Sequence, residues 1–321
     1  MRNIPKDDLL QMALGPVLYH WPRERLLEFY RHALDWPVER VYLGEVVCSK
    51  RRSFSPRDWI QLGREMASVG KTVIISTLTL IEAGSELGAL GRLCEAVGEQ
   101  EGMQVEANDL ASVNILSRSH LPFVGGAALN VYNERTLHIL LNQGMQHWVL
   151  PLELARGTAQ ILVASAKNRC SCEIFAWGRL PLAWSARCYT ARAENRPKDH
   201  CDQLCLKDPE GRLLRTQEGQ DFLTLNGVQI QSAYTVNLAP WLTEIRQAGI
   251  QTVRLSPQAS HMETIIQDFD LLRRNPGNPD VLDDLRVRGA AGTCDGYWLG
   301  QPGLLSLENS RNGGIGIHAK P

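Results

Sequence analysis

KTVIISTLTLIEAGSELGALGRLCEAVGEQEGMQVEAND, residues 71–109, decides the fold class. KTVIISTLTL (71–80) and MQVEAND (103–109) are short apolar runs, and between them a helix starts near Ser85. In that helix Leu87, Leu90, Leu93, Cys94 and Val97 recur at the i, i+3, i+4 spacing of a buried face. Strands that are apolar on both faces and separated by about 10–15 helical residues run parallel, joined by helical crossovers. The glycines of GSELGALG permit close helix packing; they form no phosphate loop, because the lysine and Ser/Thr of a Walker motif are missing.

The same unit repeats in both directions. ALGPVL (13–18) precedes the amphipathic PRERLLEFYRHAL, with Leu26, Leu27, Tyr30 and Leu34 on one face and Pro22 suited to a first helical turn. VERVYLGE (38–45) is the next strand, with a helix after Ser55-Pro56. PFVGGAALNVY (122–132), MQHWVLP (145–151), CSCEIFAWGRLPLA (170–183) and a late QTVRLSP (251–257) complete eight strands, which predicts a TIM-barrel-like parallel α/β barrel, distorted where its rhythm breaks. The break spans 184–250: a cysteine-bearing loop, a KDPEGR turn and a small hairpin, DFLTLNGVQI, pivoting near Asn226-Gly227. We read 1–321 as a single barrel-like domain with that insertion after strand seven and a loose Gly-rich tail over 308–321.

Lys+Arg 34 against Asp+Glu 35 leaves a formal charge of -1, so bulk electrostatics favour neither a nucleic-acid partner nor a polybasic membrane patch. MRNIPKDDLLQM carries acidic residues where a signal peptide has its apolar core, and no run of eighteen apolar residues occurs. The expectation is a cytoplasmic protein without a transmembrane segment. Eight cysteines are too sparse for a disulfide scaffold, which turns attention to metal or redox chemistry for any that cluster.

SARCYTARAENRPKDHCDQLC (185–205) holds Cys188, Cys201 and Cys205 in a polar stretch with little to bury them. Loops after the C-terminal ends of parallel strands form the functional face, and Cys188 lies there. Cys170 and Cys172 start the same strand; about 3.3 Å per residue puts them roughly 30 Å away, at the opposite end. Cys94 fits a helix core. Cys48, three residues past a strand end, is the best fourth ligand, and Cys294 is not dismissed by position. Four thiolates suit structural zinc or an iron-sulfur cluster. The absence of a C-x-x-C knuckle and the wide spacing lean toward a 4Fe-4S cube. Lys50, Arg51, Arg52, Arg187, Arg192, Arg196 and Lys198 flank these cysteines and would stabilise an anionic centre.

LGPVLYHWPRERLLEFY, VYLGEVVCSKRR, LPLAWSARCYTARAENRPKDHCDQLC, FLTLNGVQI, VRLSPQ and CDGYW closely resemble the collagenase-like peptidase family of bacteria, in its ubiquinone-biosynthesis branch, over residues 12 to 300. The resemblance implies a 4Fe-4S cluster on the positions matching Cys48, Cys188, Cys201 and Cys205. It also implies oxygen-independent, anaerobic hydroxylation of the ring of a ubiquinone precursor, as a heterodimer with a paralogue, UbiU, that has its own cluster. A lipid-binding protein, UbiT, accompanies that pathway, and RNA-acting relatives take their oxygen from prephenate. Two alternatives remain open: a zinc-binding, non-catalytic scaffold subunit, and an RNA-modifying hydroxylase.

The family signature E-x-F-x-H-G-x-L-C-x-x-x-S-G-x-C reads here as EIFAWGRLPLAWSARC from Glu173 to Cys188. Trp177 replaces the histidine, Pro181 a cysteine and Ala186 a glycine, which argues against peptidase activity and for a supporting or electron-transfer subunit. His20, His32, His120, His138, His147, His261 and His318 show no paired or HExxH spacing, so no nucleophile–base set is legible. His200 beside Cys201 is either a cluster-side donor or an exposed loop residue. Asn108, Asp109, Asn130 and Glu153 follow strands, as pocket residues or as helix caps. Trp177 and Trp184 read as packing rather than a quinone platform. The catalytic residues are left unassigned.

Overall fold

The computed structural model describes residues 9–306, so the expected tail at 308–321 lies outside the described residues. In chain order come β1 (Gln11–Leu14), α1 (Arg23–Ala33), β2 (Arg40–Leu43), α2 (Pro56–Ser68), β3 (Thr72–Ser76), α3 (Gly84–Gly98), β4 (Met103–Ala107) and α4 (Leu110–Arg118). β5 (Phe123–Gly125), α5 (Glu134–Asn142), β6 (Met145–Val149), α6 (Arg156–Ser165), β7 (Ser171–Trp184) and the short α7 (Tyr189–Ala193) follow. The remainder is β8 (Arg212–Arg215), β9 (Asp221–Asn226), β10 (Gln229–Asn237), α8 (Leu242–Gln247), β11 (Thr252–Leu255), α9 (Met262–Arg274), α10 (Pro279–Arg288) and β12 (Thr293–Cys294).

Strands β1 to β7 pair in sequence, all parallel. β11 closes the ring between β7 and β1, with Thr252 opposite both Glu173 and Gln11. This is the closed eight-stranded parallel barrel that the alternating pattern predicts. The apolar faces explain it: Met66, Leu116, Leu137, Ile265 and Phe269 are buried between barrel and helices, while Ala13, Tyr42, Ile74, Val124 and Val149 form a layer inside the barrel. Helix starts follow local chemistry. The Ser55 hydroxyl accepts from the Asp58 N–H, the Asp58 carboxylate accepts from the Ser55 N–H, and Pro56 occupies the first turn.

Most strands are shorter than the apolar runs that carry them, and two show why. β1 ends at Leu14 because Gly15-Pro16 follows, and proline has no N–H to continue the ladder. β5 ends at Gly125, where a 3-10 turn over Ala127–Leu129 and a left-handed Asn130 take the chain out of the sheet. β7 has the length expected, and beyond the barrel its second half pairs antiparallel with β10, which continues through β9 to β8. A bulge after Arg254–Phe175 pairs Leu255 with Trp177 and resets the alternation of β7. Trp177 therefore packs edge-on against Phe269 of α9, with its indole N–H donating to Gln258 Oε1 at 3.0 Å. Gly178, at φ +125, is required there, since a Cβ would meet Ser256 Cβ at 2.6 Å.

Candidate metal centre

The loop after β2 and the excursion after β7 meet at the C-terminal mouth of the barrel. Arg51 is the clamp: its guanidinium donates to Leu18 O at 2.6 Å and to Asn226 Oδ1 at 2.7 Å. The β9–β10 turn it grips carries the next segment: Gly227 O accepts from Tyr189 N at 2.8 Å, and Gly227 N donates to Thr190 Oγ1 at 3.0 Å. Lys50 reaches the later half of the excursion, donating to Lys198 O at 3.1 Å and to Asp199 Oδ1 at 2.6 Å. Glu45 shapes the first loop by accepting the N–H groups of Val47 and Cys48 at 2.9 and 3.0 Å. Gly227 has φ +66 and a Cβ there would stand 2.9 Å from Arg51 Nη2. Gly227→Ala is expected to destabilise the protein by roughly 1–2 kcal/mol in urea unfolding, from left-handed strain and a displaced clamp.

Cys48, Cys188, Cys201 and Cys205 are all free and half-buried. Cys48 and Cys188 pack on one apolar patch formed by Leu18, Val46, Val47 and Val228. Cys188 also caps α7, its Sγ accepting from Ala191 N at 3.4 Å. Burial pushes the Cys48 thiol up, Arg51 opposes that, and the charge of Cys188 adds to it. Burial likewise pushes Cys205 up, with Arg51 opposing and Cys188 adding. Lys50, held up first by Asp199, also feels Cys201 and Cys48. Cys188 thus acts on both Cys48 and Cys205, Arg51 acts on the same two thiols, and Lys50 stands near Cys48 and Cys201.

Cys294 is buried in the main core. Cys94 is buried in α3, and Cys170 and Cys172 lie at the start of β7. His200 is exposed, whereas the thiol's imidazole neighbour is a different residue: His20, buried, with Nδ1 3.4 Å from Cys205 Sγ. Burial and then Arg51 lower its pKa to about 4, so it is neutral at pH 7. The LYHWP stretch carries it, but nothing in the spacing ties it to a cysteine 185 residues on.

Among the described residues, no three His, Cys, Asp or Glu side chains stand close enough to hold a single metal ion. The donor chemistry fits an anionic iron-sulfur group: the set is all thiol, it neighbours two cations, and the buried Arg51 Nε has no hydrogen-bond partner among the described residues. Cys48, Cys188, Cys201 and Cys205 would hold such a group, which would supply one-electron transfer when bound.

A second feature lies inside the barrel. Arg254 on β11 bonds Glu106 Oε1 on β4 at 2.9 Å and also pairs with Glu173 on β7. Glu173 Oε2 accepts from Tyr42 Oη and from His147 Nε2, each at 3.0 Å, and the guanidinium lies over the Tyr42 ring at 3.9 Å. Ser76 Oγ donates to Glu106 Oε2 at 2.6 Å, as does Asn108 Nδ2 at 3.3 Å. The signature glutamate, Glu173, is therefore the hub of a buried charge network. Of the strand-end candidates, Asn108 joins this network, whereas Asp109 caps α4 by accepting from Ala111 N at 2.7 Å. A small cavity of about 50 Å³ is lined both by members of the network, Glu106, Asn108 and Arg254, and by Leu18, Val46 and Trp184 of the cysteine patch.

Burial pushes the Glu173 carboxyl up, but Arg254, with the hydrogen bond from His147, outweighs it and holds the pKa at about 2, below its ordinary 4.5. Burial lowers His147 despite Glu173, so the imidazole stays neutral. An ionised Glu173 with a depressed folded pKa stabilises the fold fully above pH 4.5, and that contribution is lost as pH falls from there through about 2. Urea unfolding from pH 5 downward is expected to show that loss, and Glu173→Gln should flatten it.

A closed parallel barrel whose mouth carries cysteine-bearing loops defines the class: an α/β-barrel protein with a thiol-rich C-terminal face. Residues 25–274 match peptidase family U32, and the chain belongs to that family. Among solved structures, a U32 peptidase aligns over 81% of this chain and 98% of its own, at 11% identity and a TM-score of 0.44. The tryptophan synthase α subunit of Campylobacter jejuni aligns over 87% and 94%, at 8% identity and 0.37. An enolase protein from Sargasso Sea environmental sequencing aligns over 52% of this chain, which spans 47% of that protein, at 13% identity and 0.36. No described helix is long and apolar enough to cross a membrane.

Proposed function

We propose that this chain works as UbiV does: the 4Fe-4S subunit of an oxygen-independent ubiquinone-ring hydroxylase, acting as a cytoplasmic heterodimer with the paralogue UbiU and alongside UbiT. The observation that carries the reading is the meeting of the Cys48 loop with the Cys188–Cys205 excursion under Arg51 and Lys50. An all-thiol donor set beside cations supports the cluster over mixed-ligand metals. Trp177, buried in the helix layer at the signature histidine's position, supports a supporting or electron-transferring role rather than hydrolysis. Prephenate is the oxygen donor this reading carries over from the family.

The test is genetic and chemical. Cells lacking this gene, grown without oxygen, should lose hydroxylated ubiquinone and accumulate its precursor, while aerobic cultures stay normal. Plasmid-borne wild type should restore the quinone and Cys188→Ala should not. Restoration by the alanine variant would refute the reading.

A further inference from the structure

A cleft of about 1400 Å³ opens beside Cys188, between the β3–α3 region and the stretch that carries the later cysteines. It exceeds the roughly 300–1000 Å³ of ordinary small-ligand sites, so it admits an elongated guest. Its lining has two chemistries. Trp59, Leu78, Ile81, Leu90 and Leu93 make part of it apolar, and Ile81 and Leu93 are only partly covered. Arg52, on the loop after β2, and Arg187, Arg192 and Arg196, on the excursion after β7, also line the cleft.

The charges around the cleft cancel unevenly. Lys50 is paired with Asp199, and Lys198 with Glu82. Glu86 is occupied at the start of α3, accepting from the N–H groups of Glu82 and Ala83 at 2.7 and 3.2 Å and from the Ser49 hydroxyl. Arg52, Arg187, Arg192 and Arg196 have no side-chain hydrogen bond or ion pair among the described residues. At Cys48 and Cys205 the arginine whose charge acts on the thiol is Arg51. Four guanidinium groups without a partner among the described residues, in one cleft with apolar side chains, call for a guest with an anionic head and a hydrophobic body.

We propose that this cleft is a binding site for an amphiphilic anion, a carboxylate or phosphate on an apolar chain, with its head on the four arginines and its body along α3. The site needs no bound cluster, so it goes beyond the proposed function and stands or falls separately from it.

Titration calorimetry of the full chain with dodecanoate and with dodecyl phosphate, below their micelle concentrations, tests it. One saturable site per chain is expected for at least one of them, and the tighter of the two tells carboxylate from phosphate recognition. Dodecyltrimethylammonium, with the same body and the opposite head, and butyrate, with a head and little body, should bind about tenfold or more weakly. The exposed Arg187→Glu/Arg192→Glu pair should weaken anion binding by a similar factor. Ile81→Glu, in the loop before α3, should do so from the apolar side. Equal binding of the cationic amphiphile, unsaturable uptake, or an unchanged affinity in both variants would overturn the site.

Discussion

Arg254→Met is expected to remove about 3–5 kcal/mol of stability, a large fraction of what a folded domain holds, because it strands two carboxylates inside the barrel. Glu106 and Glu173 both depend on that guanidinium, and both are almost wholly buried. Ser76, Asn108, Tyr42 and His147 supply hydrogen bonds but no positive charge. Urea midpoints at neutral pH measure the loss. Adding Glu173→Gln to Arg254→Met should restore part of it, since one orphaned charge is then gone. A loss below about 1 kcal/mol would show that the carboxylates do not rely on Arg254.

Cys201→Ala is expected to abolish or degrade iron and sulfide incorporation while the barrel stays folded. The side chain is half-buried on an excursion outside the eight-stranded ring, so its removal leaves the main core intact. Cys294→Ala is the matched control: that thiol is buried in the main core. It should keep its metal and lose stability instead. Iron and sulfide assays alongside circular dichroism separate the two outcomes. A Cys201→Ala protein with its full iron and sulfide would refute the ligand set.

The barrel was legible because each strand is short, apolar on both faces and followed by a helix with a clear buried stripe, as in 71–109. Hairpin and turn were legible from Asn226-Gly227. Strand ends were less so: Gly15-Pro16 and the 3-10 turn at Ala127–Leu129 stop β1 and β5 inside runs that read as continuous. Strand polarity put the β2 and β7 loops on one face of the barrel, whereas their contact through Lys50, Lys198 and Asp199 exists only in three dimensions. The internal network was not foreseen, because its members come one at a time from β2, β3, β4, β6, β7 and β11 and share no spacing. A signal was available: VYL, QVEA, QHWV, CEIF and TVRL each hold a polar or ionisable residue within a strand otherwise fit for full burial. His20 was missed for a similar reason, since its link to Cys205 exists only in three dimensions. The seven flanking cations also divide in a way charge counting hides: Lys50 and Arg51 act on the thiols, Lys198 pairs with Glu82, and Arg52, Arg187, Arg192 and Arg196 line the neighbouring cleft without a partner among the described residues.

Purification of the chain without oxygen, followed by iron, acid-labile sulfide and zinc determination, bears most directly on whether two distant loops jointly ligate a cluster. A brown protein with about four iron and four sulfide per polypeptide is the predicted result, with Cys48→Ala losing both. A colourless protein carrying stoichiometric zinc, or a Cys48→Ala variant with an unaltered iron content, would contradict it.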